Sequence, residues 1–268
     1  MLVNLLFSAF VGCKNETTGN SDIQRQSYVS PSADSAYFQE IGAQIGLNFN
    51  HSIGGNELKN IIESVGGGAA FLDYDNDGYL DIYACSGIWI EGFSKSDKPE
   101  KRAGNKLYRN RQDGTFEDVT EKANVVGPWY SMGVSVADYN NDGFSDLFLS
   151  NYGRNTLLEN NGDGTFVDRS KDSGLEGGME CSVGATWLDY DNDGLLDLYV
   201  GNYLNFDPDY KYYYAPDGFP GPLAYDAQPD HLYHNLGGGA FEEVTEEMGI
   251  SDLDGRAMGV GSADYDHD

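Results

Sequence analysis

The sequence predicts an all-β protein of the β-propeller class, built from four-stranded blades. Two short units alternate along the chain. The first begins with a glycine that stands five residues before an aspartate-rich loop, and its copies start at Gly68, Gly133, Gly184 and Gly259. The second runs from Asn or Asp through a Leu-containing stretch to Asn and then to a glycine-rich turn that ends in Phe. Each pair of units supplies four strands, a pattern typical of a propeller blade.

The four strands of a blade follow from the position of these units. Strand a leads into the Asp-rich loop, strand b leaves it, and strands c and d flank the turn before Phe. In the first blade they are expected at 69–72, 80–85, 106–109 and 115–120. Blades are predicted at about 66–120, 131–170 and 182–245, with part of a fourth at 257–268, so that 37–268 forms the propeller region.

Three blades and part of a fourth are fewer than a closed propeller needs, since closure takes at least four. We therefore expect this sequence to be an N-terminal fragment of a larger propeller; the alternative is a short open array with exposed strand edges. Residues 37–41 match strand d, and we expect them to complete the last blade of the ring.

The charge balance excludes some classes of partner. The 268 residues include 44 Asp and Glu against 16 Lys and Arg, a net charge of −28. A nucleic-acid binder needs a basic face, and anionic membranes would repel this chain. Aromatic residues make up 13% of the sequence, which supports a folded core rather than disorder.

The N-terminus resembles an export signal. Residues 1–13 are mostly apolar, too short to cross a bilayer, and end at Cys13 in a stretch that resembles a bacterial lipobox. We interpret the protein as an outer-membrane or cell-surface lipoprotein, with residues 14–36 as a flexible tether. A plain secretion signal and an apolar start that is not a signal remain alternatives. Cys85 and Cys181 lie two blades apart, so we expect buried thiols rather than a disulfide.

The Asp-rich loops are predicted to bind Ca²⁺. Oxygen ligands at alternate positions, with a glycine at the sixth, suit a cation that takes 6–8 oxygens in flexible geometry. Mg²⁺ fits less well, and the three complete loops contain no His or Cys for zinc. The second loop, with one charge fewer, should be the weakest complete site, and the fourth should bind poorly. The predicted ligands, with the seventh position acting through its carbonyl, are Asp73, Asp75, Asp77, Tyr79 and Asp81; Asp138, Asn140, Asp142, Phe144 and Asp146; Asp189, Asp191, Asp193, Leu195 and Asp197; and Asp264, Asp266 and Asp268.

Two other interpretations of these loops, an EF-hand and a simple polar turn, fit the sequence less well. An EF-hand needs a Glu at the twelfth position and flanking helices, whereas that position holds Ala84, Leu149 and Val200 between β-type flanks. Simple polar turns would leave up to four carboxylates repelling one another within nine residues.

The Asp-x-Asp-x-Asp-Gly-x-x-Asp loop after a glycine resembles the FG-GAP/VCBS repeat known from integrin α-subunit propellers. Its pairing with Asn-x-Leu-Tyr-x-Asn and Asp-Gly-Thr-Phe is similar to the ASPIC/UnbV family, which includes cartilage acidic protein. Further matches lie at 46–51, 66–68 and 217–223, and the resemblance covers about 37–268. It implies the propeller fold and the metal more firmly than any activity, because the family's biochemical role is poorly defined.

A partner is expected on the face opposite the calcium loops, where the inserts 50–65, 86–104 and 205–229 lie. Aromatic side chains offer contact area with a polar end, and loops on rigid scaffolds often carry function. The partner would be a protein or a polysaccharide at the cell surface; the alternative is that the third insert packs over its own blade. The candidate residues are Tyr210, Tyr212, Tyr213, Tyr214, Phe219 and Tyr225.

The sequence shows no nucleophile–base constellation and no phosphate-binding loop. His231 and His234 flank strand c and are expected to face solvent or a neighbouring blade, while His51 could contact a ligand. The favoured function is an exported calcium-binding scaffold or binding module. The alternative is a binding domain or subunit of a carbohydrate-active or other surface enzyme.

Overall fold

The computed structural model describes residues 38–94, 98, 104–210 and 218–265. The chain divides into two compact units, 1–40 and 41–268, and the repeats lie in the second. The predicted signal, Cys13 and the tether fall outside the described residues, as do Tyr212, Tyr213 and Tyr214, and Asp266 and Asp268. Among the described helices, none has the length and apolar character to cross a membrane.

The described structure is almost entirely β, and the all-β, propeller-like fold predicted from the repeats is confirmed. The three blades each contain four antiparallel strands in chain order. Two helices of four residues, α1 (Thr120–Ala123) and α2 (Ser170–Ser173), follow the outer strands of the first two blades. Short 3-10 turns lie at Gly42–Ile45, Ile62–Ser64 and Pro222–Ala224. The strands are β1 (Ala69–Leu72), β2 (Asp81–Ala84), β3 (Lys106–Asn110) and β4 (Phe116–Asp118) in blade 1; β5 (Tyr130–Ala137), β6 (Asp146–Gly153), β7 (Thr156–Asn160) and β8 (Phe166–Asp168) in blade 2; and β9 (Glu180–Leu188), β10 (Asp197–Asn202), β11 (His231–Asn235) and β12 (Phe241–Glu243) in blade 3.

The blades approach one another along their inner strands, β1, β5 and β9, and β6 of blade 2 also pairs antiparallel with β9 of blade 3. Gly68 donates its N–H to the carbonyl oxygen of Met132, 2.9 Å away. A Cβ on Gly68 would lie 3.1 Å from the Cα of Gly133, and a Cβ on Gly133 would lie 2.9 Å from the carbonyl oxygen of Val183. Backbone therefore packs on backbone at these two positions, which explains the glycines that open the first two repeats.

The core consists of clusters between blades rather than one central cluster. One joins blades 1 and 2 through Tyr74 and Phe166, and another joins blades 2 and 3 through Tyr139 and Phe241. In both, the Tyr of one blade's Asp-rich loop packs against the Phe at the start of the next blade's outer strand, with ring centroids 6.4 and 5.8 Å apart. The repeat thus builds the same apolar contact at successive interfaces. Cys85 and Cys181 are buried in different clusters as free thiols, as predicted.

The residues that end the turns after the outer strands of blades 1 and 2 also contact the next blade. The Asn124 side-chain amide donates to the carbonyl oxygen of Phe166 at 3.2 Å, and the Cα of Gly174 lies beside Phe241, where a Cβ would come within 3.1 Å of the carbonyl oxygen. Gly46, after the turn Gly42–Ile45, lies in the same way against the carbonyl oxygen of Phe116. That placement is the one expected after an outer strand. The described residues 38–41 contain no strand, so the role predicted for 37–41 stays a prediction.

Residues 257–265 lie along β9 without forming a strand in the described chain. Ala257 donates its N–H to Asn202, and the Ser262 hydroxyl lies 2.9 Å from the hydroxyl of Thr186. The beginning of the fourth copy is therefore placed beside blade 3, where an inner strand would stand.

Candidate metal-binding loops

The first Asp of each complete loop folds the loop around its own carboxylate. Asp73 accepts the N–H groups of Asp77 at 3.0 Å and Gly78 at 2.8 Å, one on each oxygen. The same two bonds form at Asp138 and at Asp189, with distances of 2.8 to 3.1 Å. The glycine has a positive φ in every loop, which a side chain would make costly. The loops therefore share one backbone shape, as the repeated spacing predicts.

The last Asp of each loop is fully buried and ties the loop to strand c. In blade 1, Asp81 accepts the N–H of Tyr74 at 3.1 Å and the N–H of Asn110 at 2.7 Å. Asp146 and Asp197 make the equivalent bonds. Burial raises the pKa of Asp81 to about 6 and that of Asp146 to about 7, because the charged carboxylate loses hydration. A nearby cation would oppose that effect.

Loops 1 and 3 bring acidic oxygens within the span of a single ion. One oxygen each from Asp73, Asp75 and Asp81 lie within 4.8 Å of one another. The same holds for Asp189, Asp191 and Asp197. Two ligands on opposite sides of a Ca²⁺ ion, at about 2.4 Å each, are separated by about 4.8 Å. The chemistry and the spacing of these donor groups therefore fit Ca²⁺.

Loop 2 differs because an amide replaces one carboxylate. The Asn140 side chain accepts the N–H of Asp142 at 3.1 Å and donates to the carboxylate of Asp142 at 3.0 Å. It keeps an oxygen in the loop but contributes no charge. The expectation that this is the weakest complete site stays a prediction.

The backbone N–H of the seventh residue in each complete loop donates to the carboxylate of the fifth. Tyr79, Phe144 and Leu195 donate their N–H groups to Asp77, Asp142 and Asp193 at 2.8 to 3.0 Å. This Asx-type turn orders the segment whose carbonyl oxygen we predicted as a ligand.

In blade 3, strand c brings to the Asp-rich loop a side chain that the sequence did not predict there. His234 was expected to face solvent or a neighbouring blade, but the structure places its Nδ1 3.1 Å from Asp197 and 3.7 Å from Asp191, in the loop of its own blade. Antiparallel pairing of β10 with β11 brings the end of β11 beside the start of β10. A ligand atom of His234 lies within 4.8 Å of oxygens of Asp191 and Asp193, so imidazole is available at this loop even though no His lies within it. His231, three residues earlier, instead contacts Glu180 of β9.

In blade 1 the equivalent residue is Arg109. Its Nε lies 2.7 Å from Asp75 and its Nη2 3.3 Å from Asp77. The side-chain amide of Gln112 also donates to Asp77, at 3.0 Å. The loops of blades 1 and 3 thus differ in the charge that strand c brings to them.

Neighbouring loops are linked by asparagines. Asn76 donates to the carbonyl oxygen of Gly143 at 3.0 Å, and Asn141 donates to that of Gly194 at 3.1 Å. Both asparagines occupy the fourth loop position with a positive φ. The candidate sites therefore form a connected arc on one face of the blades.

The fourth loop is described only at its start. Asp264 and Asp189 line the same cavity of about 1180 Å³ between blade 3 and 259–264. Asp266 and Asp268 lie outside the described residues, so this site stays a prediction.

The opposite face carries the inserts, which pack on one another. Phe206 lies between Phe93 and Tyr225, with ring centroids 5.6 Å from each, and Tyr225 is only 6% exposed. Tyr210 packs at 5.4 Å from Tyr225 but is 44% exposed, and Phe219 is partly buried. Of the three described partner-face candidates, Tyr210 has the most ring surface available. The partner-binding role of this face stays a prediction.

Comparison with known proteins agrees with the repeat. A family model described as FG-GAP-like repeat matches residues 73–149 and 138–200. Residues 73–200 are thus similar to FG-GAP-like repeats. Cartilage acidic protein 1 of Homo sapiens is 36% identical over 89 residues, and that of Xenopus tropicalis is 36% identical over 72 residues. The matched segment spans 33% of this chain but only 14% of the human protein. The resemblance to FG-GAP repeats and to cartilage acidic protein-like members of the ASPIC/UnbV family is therefore confirmed.

A comparison with solved structures finds an Agrocybe aegerita lectin described as recognising non-reducing terminal N-acetylglucosamine. The TM-score is 0.33 at 18% identity, covering 64% of this chain and 36% of the lectin chain.

Proposed function

We propose that this protein is a calcium-binding, exported β-propeller module that scaffolds a partner-binding face opposite the calcium loops. The observation that carries the calcium proposal is the convergence of oxygens from Asp189, Asp191 and Asp197 within 4.8 Å in the loop of blade 3. In a chain of net charge −28, such groups gain from a divalent cation that offsets their mutual repulsion.

The buried last Asp supports the same proposal. Asp81, Asp146 and Asp197 are fully enclosed, and each holds two backbone N–H groups that close the loop and fix strand c. A cation bound to these oxygens would connect the inner strands to strand c in the same blade. Since Asn76 and Asn141 connect successive loops, binding at one loop would also stiffen the next.

The proposed role as a binding module is supported by the repeats and by the face that the inserts form. FG-GAP repeats and the similarity to cartilage acidic protein 1 favour a non-catalytic scaffold. The packed inserts provide a broad face, on which Tyr210 offers an exposed ring and a hydroxyl. A surface protein or a polysaccharide would suit this face, and the strong negative charge disfavours nucleic acid. The proposed location is outside the cytoplasm, as a lipoprotein anchored through Cys13 or as a secreted protein.

The test is calorimetric titration with CaCl₂ of the wild-type chain, of Asp191→Asn and of Asp163→Asn. Asp191→Asn removes one anionic ligand of loop 3 and should weaken calcium at that loop by about tenfold or more, since ligand charge sets affinity. Asp163 is an exposed Asp in the turn between β7 and β8, where it accepts a bond from Thr165, so its variant should titrate like the wild type. Equal loss in both variants, or no calcium heat in the wild type, would contradict the proposal.

A further inference from the structure

Blade 1 contains a cationic side chain at the place where its loop would hold an ion. Arg109 stands one residue before the last Asn of strand c, and its guanidinium contacts two carboxylates of the loop, Asp75 at 2.7 Å and Asp77 at 3.3 Å. Asp75 and Asp77 are 18% and 16% exposed at the side chain and Arg109 is 39% exposed, so these contacts are shielded from water on the carboxylate side only. Shielding strengthens charge pairs relative to those on an open surface.

The equivalent residues in the other blades do not supply a permanent positive charge. In blade 2, Glu159 bonds to the hydroxyl of Tyr139 at 2.7 Å and to Arg169. In blade 3, His234 provides an imidazole near Asp191. Blade 1 therefore has a guanidinium where blades 2 and 3 have a carboxylate and an imidazole.

Gln112 is a second and independent feature of blade 1. Its φ is +64°, and the corresponding positions in blades 2 and 3 are Gly162 and Gly237, both at +72°. A glutamine in this conformation is strained by about 1 kcal/mol or more. In return its side-chain amide donates to Asp77 at 3.0 Å. Two residues that differ from the other blades thus converge on the same carboxylate.

We propose that Arg109, assisted by Gln112, occupies the blade 1 loop in place of a divalent cation, so that this loop keeps its shape without calcium while loops 2 and 3 take ions. The inference rests on the calcium proposal for those two loops. A Ca²⁺ ion entering loop 1 must first break the ion pair of Arg109 with Asp75 and its charge-assisted hydrogen bond to Asp77. Arg109 and Gln112 therefore determine which loops of the propeller are metal sites.

The experiment counts bound ions by native mass spectrometry at matched free Ca²⁺. It compares the wild-type chain with Arg109→Ser/Gln112→Gly and with the milder Arg109→Gln. Each variant should bind one more Ca²⁺ per chain than the wild type, with calcium affinity at that loop raised about tenfold or more. Adding Asp75→Asn to the double variant should remove the extra ion, which assigns it to blade 1. The control is Arg111→Ser, because Arg111 pairs with Glu117 outside the loop and its loss should leave the count unchanged.

The outcomes separate the two proposals. If the variants bind the same number of ions as the wild type, Arg109 does not set occupancy and the inference is overturned, whatever the wild-type number is. If the variants gain one ion while the wild type binds none, the inference stands and the calcium proposal for loops 2 and 3 fails. A wild-type chain that already fills all three loops overturns the inference alone.

Discussion

The close approach of the inner strands makes a sharp prediction for Gly133→Ala. The added Cβ would lie 2.9 Å from the carbonyl oxygen of Val183 and 3.3 Å from the Cα of Gly184. Both contacts are to backbone of the next blade, so neither can move aside as a flexible side chain would. Overpacking of this kind costs about 1–3 kcal/mol, which in a domain of this size lowers Tm by roughly 2–12 °C.

Gly66→Ala is the matched control. Gly66 precedes the same kind of inner strand, its φ is not positive, and nothing lies within 4 Å of a Cβ placed there. Alanine at such a position leaves stability unchanged or raises it by up to about 1 kcal/mol, because it restricts the unfolded chain. Differential scanning fluorimetry of both variants at one fixed calcium concentration gives the comparison. Equal Tm values for the two variants would refute the claim that the inner strands pack against each other through their glycines.

Two further predictions follow from contacts between and within blades. Asn235→Leu removes an amide that donates to the carbonyl oxygens of Tyr139 at 3.0 Å and of Leu196 at 2.9 Å. Urea denaturation should show a loss of about 1–3 kcal/mol, since one buried and one half-buried carbonyl lose their donor. An unchanged midpoint would contradict the proposed link between blades 2 and 3. His231→Gln tests a pH dependence. The hydrogen bond that the imidazole of His231 donates to the carboxylate of Glu180 raises the pKa of His231 above its usual 6.5. The protonated form therefore stabilises the fold, fully below pH 6.5 and progressively less as the pH rises through the folded-state pKa. The variant should melt below the wild type at pH 5.5 and close to it at pH 9, and a deficit that is the same at both pH values would show that His231 acts by packing alone.

The spacing of the repeats was enough to predict the strands and the shape of the loops. Each Asp-rich loop is bounded by strands where the pattern places them, as with β1 and β2 around Asp73 and Asp81, because the loop shape depends on bonds within nine residues. Local hydrogen bonds of this kind are encoded in local sequence.

Contacts between strands and between blades were harder to predict. The glycines that open the first two repeats were visible in the sequence, but the reason for them lies in the neighbouring blade. Gly133, for example, packs against Gly184, which is 51 residues later in the chain. The approach of Arg109 and His234 to the loops depends on the register of strand c against strand b. The signal in the sequence was the residue before the last Asn of strand c. A comparison of the three copies would have shown that this position holds Arg, Glu and His in turn.

The third insert shows a similar limit. Its density of tyrosines predicted a binding surface, and a count of aromatics cannot separate exposed rings from those that fill a gap. The structure buries Tyr225 beneath Phe206 and leaves Tyr210 at the surface. Which rings are covered depends on Phe93, from an insert more than a hundred residues earlier in the chain.

The central claim is that calcium binds the Asp-rich loops of blades 2 and 3. The most direct measurement is a thermal melt in EDTA, followed by restoration of millimolar Ca²⁺ and, separately, of Mg²⁺. A ligand that binds only the folded state at a concentration one hundred times its Kd contributes about 2.7 kcal/mol per site, or roughly 5–11 °C per ion for a domain of this size. The account predicts a reversible rise of at least that amount with Ca²⁺ and a smaller one with Mg²⁺. A Tm that is the same in EDTA and in calcium would contradict it.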